Sequence, residues 1–193
     1  MLAPWRSPLS SAIHRNRSKP FSRYFQLATV TPDNQPANRT VVFRGFLDDE
    51  QNRLKIITDD RSAKIQDIKH QSLAEICWYF TKTREQFRIT GELYLVTVQE
   101  TDPALQQARS TTWYNLSDSA RSQFAWPDPG QPAEEKSAFE VEPPDEKIPL
   151  DNFCLLLLTP QKVDHLQLKG DPQQRYLYHL KADQTWTTQA VNP

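Results

Sequence analysis

The chain has 193 residues, 37% of them hydrophobic and 24% charged, which is one domain's length with enough apolar material for one core. Twenty-three Lys and Arg against 24 Asp and Glu leave a formal net charge of -1, so the concentrated basic field of nucleic-acid or anionic-membrane binders is excluded. The longest aliphatic run, FCLLLL at 153–158, is far below the roughly 18 residues of a spanning helix, so a soluble protein with neither membrane nor nucleic-acid partner is expected.

The opening SPLSSAIHRNRSK reads as a short helix capped by Ser7 with Pro8 at its first position. Its basic residues (Arg6, His14, Arg15, Arg17, Lys19) are followed by no apolar h-region, so it is not a secretory signal. From residue 22 the pattern becomes β-rich. RYFQLATVT, RTVVFRGFL, RLKIITD, AEICWYF and EQFRITGELYLVTV are separated by turn formers such as PDNQPAN and DDEQN, as in an antiparallel meander. RSAKIQDIKHQ interrupts it with a helical stripe of Ala63, Ile65 and Ile68, which Ser62 can cap.

Two helices are expected within 101–126, one opened by Asp102 and Pro103 and one by Ser117 or Asp118. The Pro- and acid-rich 127–149 reads as a mobile loop rather than a linker between domains. NFCLLLLTPQKVDHLQL, RYLYHLKAD and TWTTQAVNP return to strand. Seven or eight antiparallel strands with few helices point to a mainly β chain closed into a barrel, which removes sheet edges.

Four glycines, at 45, 91, 130 and 170, allow neither a dinucleotide fingerprint nor a Walker loop, so an anion site must be built from side chains. Arginine and lysine at strand ends supply it: Arg39 with Arg44, Arg61 with Lys64, and Arg84 with Arg88 around Gln86. Positions 39 and 44 differ by an odd number and face opposite sides of a regular strand. Either Gly45 marks a bulge that re-aims Arg44, or the two arginines grip a flat ligand across a strand end. Adjacent strand residues Asp164 and His165 likewise point apart, which argues against a catalytic dyad. Histidines 14, 70, 165 and 179 lack metal-ligand spacing, so no metal is expected. Cys77 and Cys154, each in an apolar stretch, read as buried free thiols of a reducing cytoplasm.

The succession RTVVFRGF, IITDDRSAKIQDI and WYFTKTREQFRITGEL resembles the pyridoxamine 5'-phosphate oxidase family of FMN-binding split β-barrels. TTWYNLSDSARSQFAWPDPG and the terminal VNP resemble its cyanobacterial and plant branch. The resemblance implies one split-barrel domain over 1–193 with FMN as cofactor. It also implies a homodimer with the flavin at the interface and a cytoplasmic oxidoreductase. In such an enzyme substrate gives a hydride to flavin and oxygen reoxidises it. By the same resemblance Arg39, Val41, Val42 and Arg44 contact FMN, Ile57, Thr58, Arg61, Ser62 and Lys64 surround its phosphate, Gln86 bonds the ring, and Arg175 is the family's terminal arginine.

Departures from the family are visible as well. The Ser-Arg-Lys of the pattern is Ser62-Ala63-Lys64, with an arginine two places earlier at Arg61. Leu166 replaces a flavin-flanking tryptophan, and GDPQQ lacks the substrate-gripping Arg-x-His. The segment with Arg109, Trp113, Tyr114 and Arg121 offers a replacement pocket for a small anionic substrate, with Trp113 and Arg121 as its contacts. The competing class is a binding module: a flavin holder or shuttle without turnover, or a barrel for deazaflavin or heme.

Overall fold

The computed structural model describes residues 2–47 and 51–193. Its eight strands form one antiparallel sheet: β1 Tyr24–Val30, β2 Pro36–Val42, β3 Leu54–Asp59, β4 Leu73–Phe80, β5 Glu85–Val96, β6 Phe153–Gln167, β7 Gln174–Leu180 and β8 Trp186–Val191. The ladders run β2-β1-β4-β5-β6-β7-β8, and β3 pairs with β6 off this path. One edge of β6 serves two partners: its first half pairs with β3, from Leu54↔Leu158 to Asp59↔Phe153, and its second half with β7. Its other edge runs along β5.

The ladders leave the sheet open between β2 and β3, so the expected closure into a barrel is not complete. Across that gap the chain makes an isolated Phe46↔Leu54 bridge and hydrogen bonds from Arg44 N to Lys55 O (2.9 Å) and from Lys55 N to Gly45 O (2.8 Å). The strand expected over 39–47 therefore starts earlier, at Pro36, and loses regularity after Val42, where Gly45 takes a φ of 98°.

The leucine run of β6 is buried at every position from 153 to 158 because both faces are covered. Leu156 and Leu158 enter the main core with Phe25, Leu27, Ile56, Ile76, Trp78 and Phe87. Leu155 and Leu157 face Val96 and the helix α3, Pro103–Tyr114, through Leu105 and Ala108. The register of β5 on β6 shifts at Thr90/Gly91. There a Cβ on Gly91 would lie 2.1 Å from the Thr159 carbonyl oxygen, so the close approach requires glycine.

Helix α1 spans Arg6–Asn16 and begins one residue before the expected cap, Ser7. Its entry is set instead by fully buried Trp5, which meets Trp186 edge-on at 5.9 Å. Helix α2, Lys64–His70, also lacks a side-chain cap. The Ser62 hydroxyl, expected there, donates to the Asp59 carbonyl at 2.7 Å. Asp102 caps α3 and Ser117 caps α4, Asp118–Ser122, as their sequences indicate.

Candidate functional site

Two strands and one helix start build a cavity of about 710 Å3. Arg39, Val41 and Val42 come from β2, Arg44 from the irregular stretch after it, and Ile57 and Thr58 from the end of β3. Arg61, Ser62 and Lys64 follow in the turn leading into α2. The opposite wall is the 120–139 segment, including Gln123, Phe124, Trp126 and Phe139. Arg39 and Arg44 thus reach one cavity despite their odd spacing, because β2 ends between them and Gly45 turns the chain.

At the cavity's polar end, Lys64 Nζ donates to Thr58 Oγ1 (3.0 Å) and Ser62 Oγ (2.8 Å). No carboxylate among the described residues forms an ion pair with it. Burial, helped by the neighbouring Arg39 charge, moves its pKa below the ordinary lysine value. Arg44 is shifted down in the same sense by burial and by Arg23, and its buried Nε has no hydrogen-bond partner. A buried cation without an anion is costly, so this corner is chemically incomplete and suited to an oxyanion.

Arg39 and Arg61, expected beside them, are committed differently. Arg39 donates to Thr29 Oγ1 (2.5 Å) and to Asp67 Oδ2 (3.1 Å), and buried Asp67 also accepts from Thr29 at 2.7 Å. Asp67, on the buried face of α2, thereby fixes the Arg39 side chain against β1. Arg61 has all five donors engaged. Its Nε and one terminal nitrogen hold Asp59 at 3.0 and 2.7 Å, and the remaining donors reach Asp128 (2.8 Å) and the carbonyls of Trp126 (3.1 Å) and Phe124 (3.0 Å). Arg61 therefore straps the far wall to β3 and keeps no donor for a phosphate. Burial opposes the Asp59 charge, but the Arg61 hydrogen bonds outweigh it and hold the carboxyl below its ordinary range. Asn152 completes the strap by donating to Asp59 Oδ2 and the Phe124 carbonyl, both at 2.8 Å.

Gln86 and Arg175 lie elsewhere. They share a cross-strand row, Tyr79↔Gln86↔Leu166↔Arg175, on the sheet face turned away from the main core. In the next row the Asp164 carboxylate accepts from Arg88 (2.7 Å) and from Arg175 (2.9 and 2.7 Å). His165 faces the other way, stacked on Phe87 at 4.0 Å, with Nε2 3.0 Å from Glu85 Oε2. The alternation that argued against an Asp164-His165 dyad is the geometry found.

Trp113 and Arg121, expected as substrate contacts, do not line the cavity. Trp113 is fully buried against Phe124 and Phe153, and its Nε1 donates to the Asp145 carbonyl at 2.8 Å. Arg121 is buried, donating to the Leu116 carbonyl at 2.6 Å and pairing with Asp118. The aromatic residues that do line the cavity are Phe124, Phe139 and Trp126, the last with a buried Nε1 that has no acceptor among the described residues. The place of Trp126 in the wall depends on the Arg61 strap, a contact spanning more than sixty residues that no local pattern announces.

The fold is mainly β, and its cavity is lined by Arg39, Arg44, Arg61 and Lys64. Residues 2–97 match the sequence model described as the pyridoxamine 5'-phosphate oxidase, FMN-binding domain. A curated Arabidopsis thaliana protein, pyridoxine/pyridoxamine 5'-phosphate oxidase 2, is 41% identical over 197 residues, covering 100% of this chain and 98% of its own length. The crystal structure of a pyridoxamine 5'-phosphate oxidase-related, FMN-binding protein of Nostoc punctiforme is similar over 100% of both chains, with 55% identity and a TM-score of 0.96. The pyridoxine/pyridoxamine 5'-phosphate oxidase of Sinorhizobium fredii is 33% identical over only 76 residues, 39% of this chain and 35% of its own. The chain belongs to the pyridoxamine 5'-phosphate oxidase-like family of FMN-binding domains.

Proposed function

We propose that the protein is an FMN-dependent oxidoreductase acting on a small anionic substrate. The observation that carries this reading is the Lys64 ammonium, which has no direct carboxylate partner among the described residues and is set between the Thr58 and Ser62 hydroxyls in a cavity with apolar Val41, Val42 and Ile57 walls. Lys64, Thr58 and Ser62 hold the phosphate of FMN, with Arg44 adding charge, while Arg39 stays braced by Asp67. FMN, when bound, supplies the hydride acceptor and passes the electrons on to oxygen. The chain itself covers the cavity with the 123–139 wall, in which Trp126 meets Phe139 edge-on at 5.6 Å.

A homodimer belongs to this reading. Gln86 and Arg175 sit away from the cavity on a sheet face where Tyr24 and Tyr79 remain 46% and 43% exposed. A second copy covering that face brings them to a flavin held at the interface. Sedimentation of a single 22.4 kDa species still carrying FMN would rule this arrangement out. A cytoplasmic setting fits two free thiols, Cys154 being buried and pushed up to about 11 by that burial. No helix among the described residues is long and apolar enough to cross a membrane.

The name of the Arabidopsis relative makes pyridoxamine and pyridoxine 5'-phosphate the first substrates to test. The first experiment is the visible spectrum of protein purified without added cofactor, followed by heat release and identification of what comes off. Oxidised-flavin bands with released FMN are expected, and protein that is colourless and does not take up added FMN refutes the reading. A reducible spectrum without substrate-dependent oxygen consumption would instead identify a flavin-holding module, the reading favoured by the missing Arg-x-His and the burial of Trp113 and Arg121. Heme gains nothing from the geometry, since none of the four histidines lines the cavity.

A further inference from the structure

The C-terminal end of α1, the turn between β4 and β5 and the end of β6 meet around a second pocket, of about 370 Å3. Its lining is Arg15, Lys82, Thr83, Glu85, Gln167 and Lys169, all polar, with three cations against one carboxylate. Arg15 and Lys82 continue with Arg17 and Ser18 into an adjoining hollow, which extends the positive rim. A chain with a net charge of -1 thus gathers four cations from three elements at one end of its sheet.

Buried groups hold this arrangement in place. Asn16, 1% exposed, donates from Nδ2 to the Ala12 carbonyl (2.8 Å) and to Thr83 Oγ1 (3.1 Å), and its Oδ1 accepts from Lys82 N (3.0 Å). That one side chain pins the β4–β5 turn to α1. Leu168 N donates to Arg84 O at 2.9 Å, which brings the chain entering Lys169 against the same turn. Buried Glu85 fixes the arginine: Oε1 accepts from Arg15 at 2.8 Å, and Oε2 lies 3.0 Å from His165 Nε2. Burial disfavours the Glu85 charge, but the hydrogen bonds with His165 and Thr83 and the Arg15 charge outweigh it and hold the carboxyl below its ordinary range. The pocket's negative charge is therefore already committed.

Its donors are not. One terminal nitrogen of Arg15 holds Glu85, and among the described residues the rest of that guanidinium makes no hydrogen bond. Lys82 Nζ and Lys169 Nζ have no hydrogen bond or ion pair among them either. The C-terminal carbonyls of α1 explain cations at 15 and 17. They do not explain Lys82 and Lys169, which approach from strand ends and add like charge to the same pocket.

We propose that Arg15, Lys82 and Lys169 form an anion site that takes a phosphate group, either free phosphate or the head of a small phosphomonoester. The guanidinium, aimed by Glu85, supplies a directed donor edge, and the two ammonium groups supply mobile point charges. With no apolar residue in the lining to hold an organic body, recognition is of the dianion itself. The site shares no residue with the Lys64 cavity, goes beyond the FMN reading and does not depend on it.

The test is calorimetric titration of inorganic phosphate and, in a parallel arm, of glycerol 3-phosphate into the full chain saturated with FMN, or as purified if it takes up none. Wild type should show a saturable phase, and the tighter of the two probes identifies the source of the phosphate. Lys82→Gln combined with Lys169→Gln should weaken that phase by at least about 10-fold, as expected for loss of two charged donors. Both lysines are exposed, so unfolding without phosphate should match wild type and FMN affinity should change less than about 2-fold. Lys64→Ala should keep the phase. Arg15→Lys, which retains the charge without the fork, should weaken it by a smaller factor than the double substitution. Absence of saturable binding in both arms overturns the proposal, as does binding that survives the double substitution or is abolished only by Lys64→Ala. Failure of wild type to take up FMN, with the phosphate phase intact, would instead refute the FMN reading and leave this site standing.

Discussion

Two parts of the molecule carry the same kinds of residue to opposite ends. The corner of β2, β3 and α2 and the cap formed by α3 and α4 both combine cationic side chains with apolar neighbours. In the cap, Arg109 donates to the carbonyls of Phe153 (2.9 Å) and Leu150 (2.7 Å), Arg121 to that of Leu116, and the Trp113 indole to that of Asp145. The terminal nitrogens of Arg109 and Arg121 are thus committed to backbone carbonyls, even though the Arg121 Nε is itself buried without a partner, and that commitment is how a buried guanidinium becomes structural. In the corner, Lys64 meets only hydroxyls and the Arg44 Nε meets nothing. The commitment of the donors, rather than residue type or burial, separates a packing cation from a binding one.

The widest test of this contrast is Trp113→Ala. Emptying a fully buried tryptophan site should cost about 3–5 kcal/mol of stability in thermal or denaturant unfolding. FMN affinity of the remaining folded protein should change little, and a selective loss of substrate response without loss of stability would return Trp113 to the site. Lys64→Ala should do the converse. Hydrogen bonds to charged groups are each worth about 1.5–3 kcal/mol, so FMN affinity should fall by about 10- to 100-fold with nearly unchanged unfolding. Unaltered affinity would remove Lys64 from the phosphate grip.

Arg61→Gln should fall between the two. Loss of the strap should cost about 1–2 kcal/mol, discounted for partial exposure of the pair, and should speed proteolysis near Trp126. FMN affinity should suffer less than in Lys64→Ala, and an equal loss would mean that Arg61 gives up its carbonyl contacts to hold phosphate. The smallest effect is one of pH. Lys64 in the free protein titrates below its ordinary 10.5, and a bound phosphate favours its charged form. FMN binding therefore takes up a proton, and affinity should weaken as pH rises toward that value. Lys64→Arg keeps the charge and should flatten this alkaline decline in a titration of affinity against pH.

Much of this contrast is legible in the sequence, and the rest fails for identifiable reasons. The eight strands announce themselves through β-branched and aromatic runs between turn formers, and the residues 39–64 that line the cavity lie close together in the chain. Arg61 is expected at the phosphate from the family resemblance, whereas its hydrogen bonds here go to Asp59, Asp128 and two carbonyls. Asp59 stands two residues away, but the carbonyls of Phe124 and Trp126 that use up its other donors come from a distant loop. Trp113 and Arg121 carry the chemistry of a pocket, yet the side of α3 and α4 that faces Phe153 is set by tertiary packing. The missing caps of α1 and α2 are of the same kind: Ser7 gives way to a buried Trp5, and Ser62 to the Thr58–Lys64 cluster. Asp67 and Asp164 were not recognisable as the braces of Arg39 and Arg175, because strand and helix register decides both contacts.

The division of β6 between two partners has a consequence for how the protein is made. β3, which carries Ile57 and Thr58 and leads into Ser62 and Lys64, has its only ladder among the described residues on β6, with Leu54 opposite Leu158. β1, β2, β4 and β5 can pair among themselves, whereas the ladder partner of β3 among the described residues begins only at Phe153. Such a distant pairing pays a large loop-closure entropy and forms late. A chain ending at Val96 would hold Arg39 to Lys64 without the β6 ladder, leaving the Phe46↔Leu54 bridge and the two backbone hydrogen bonds between residues 44–45 and Lys55 to tie β3 to the neighbouring strands.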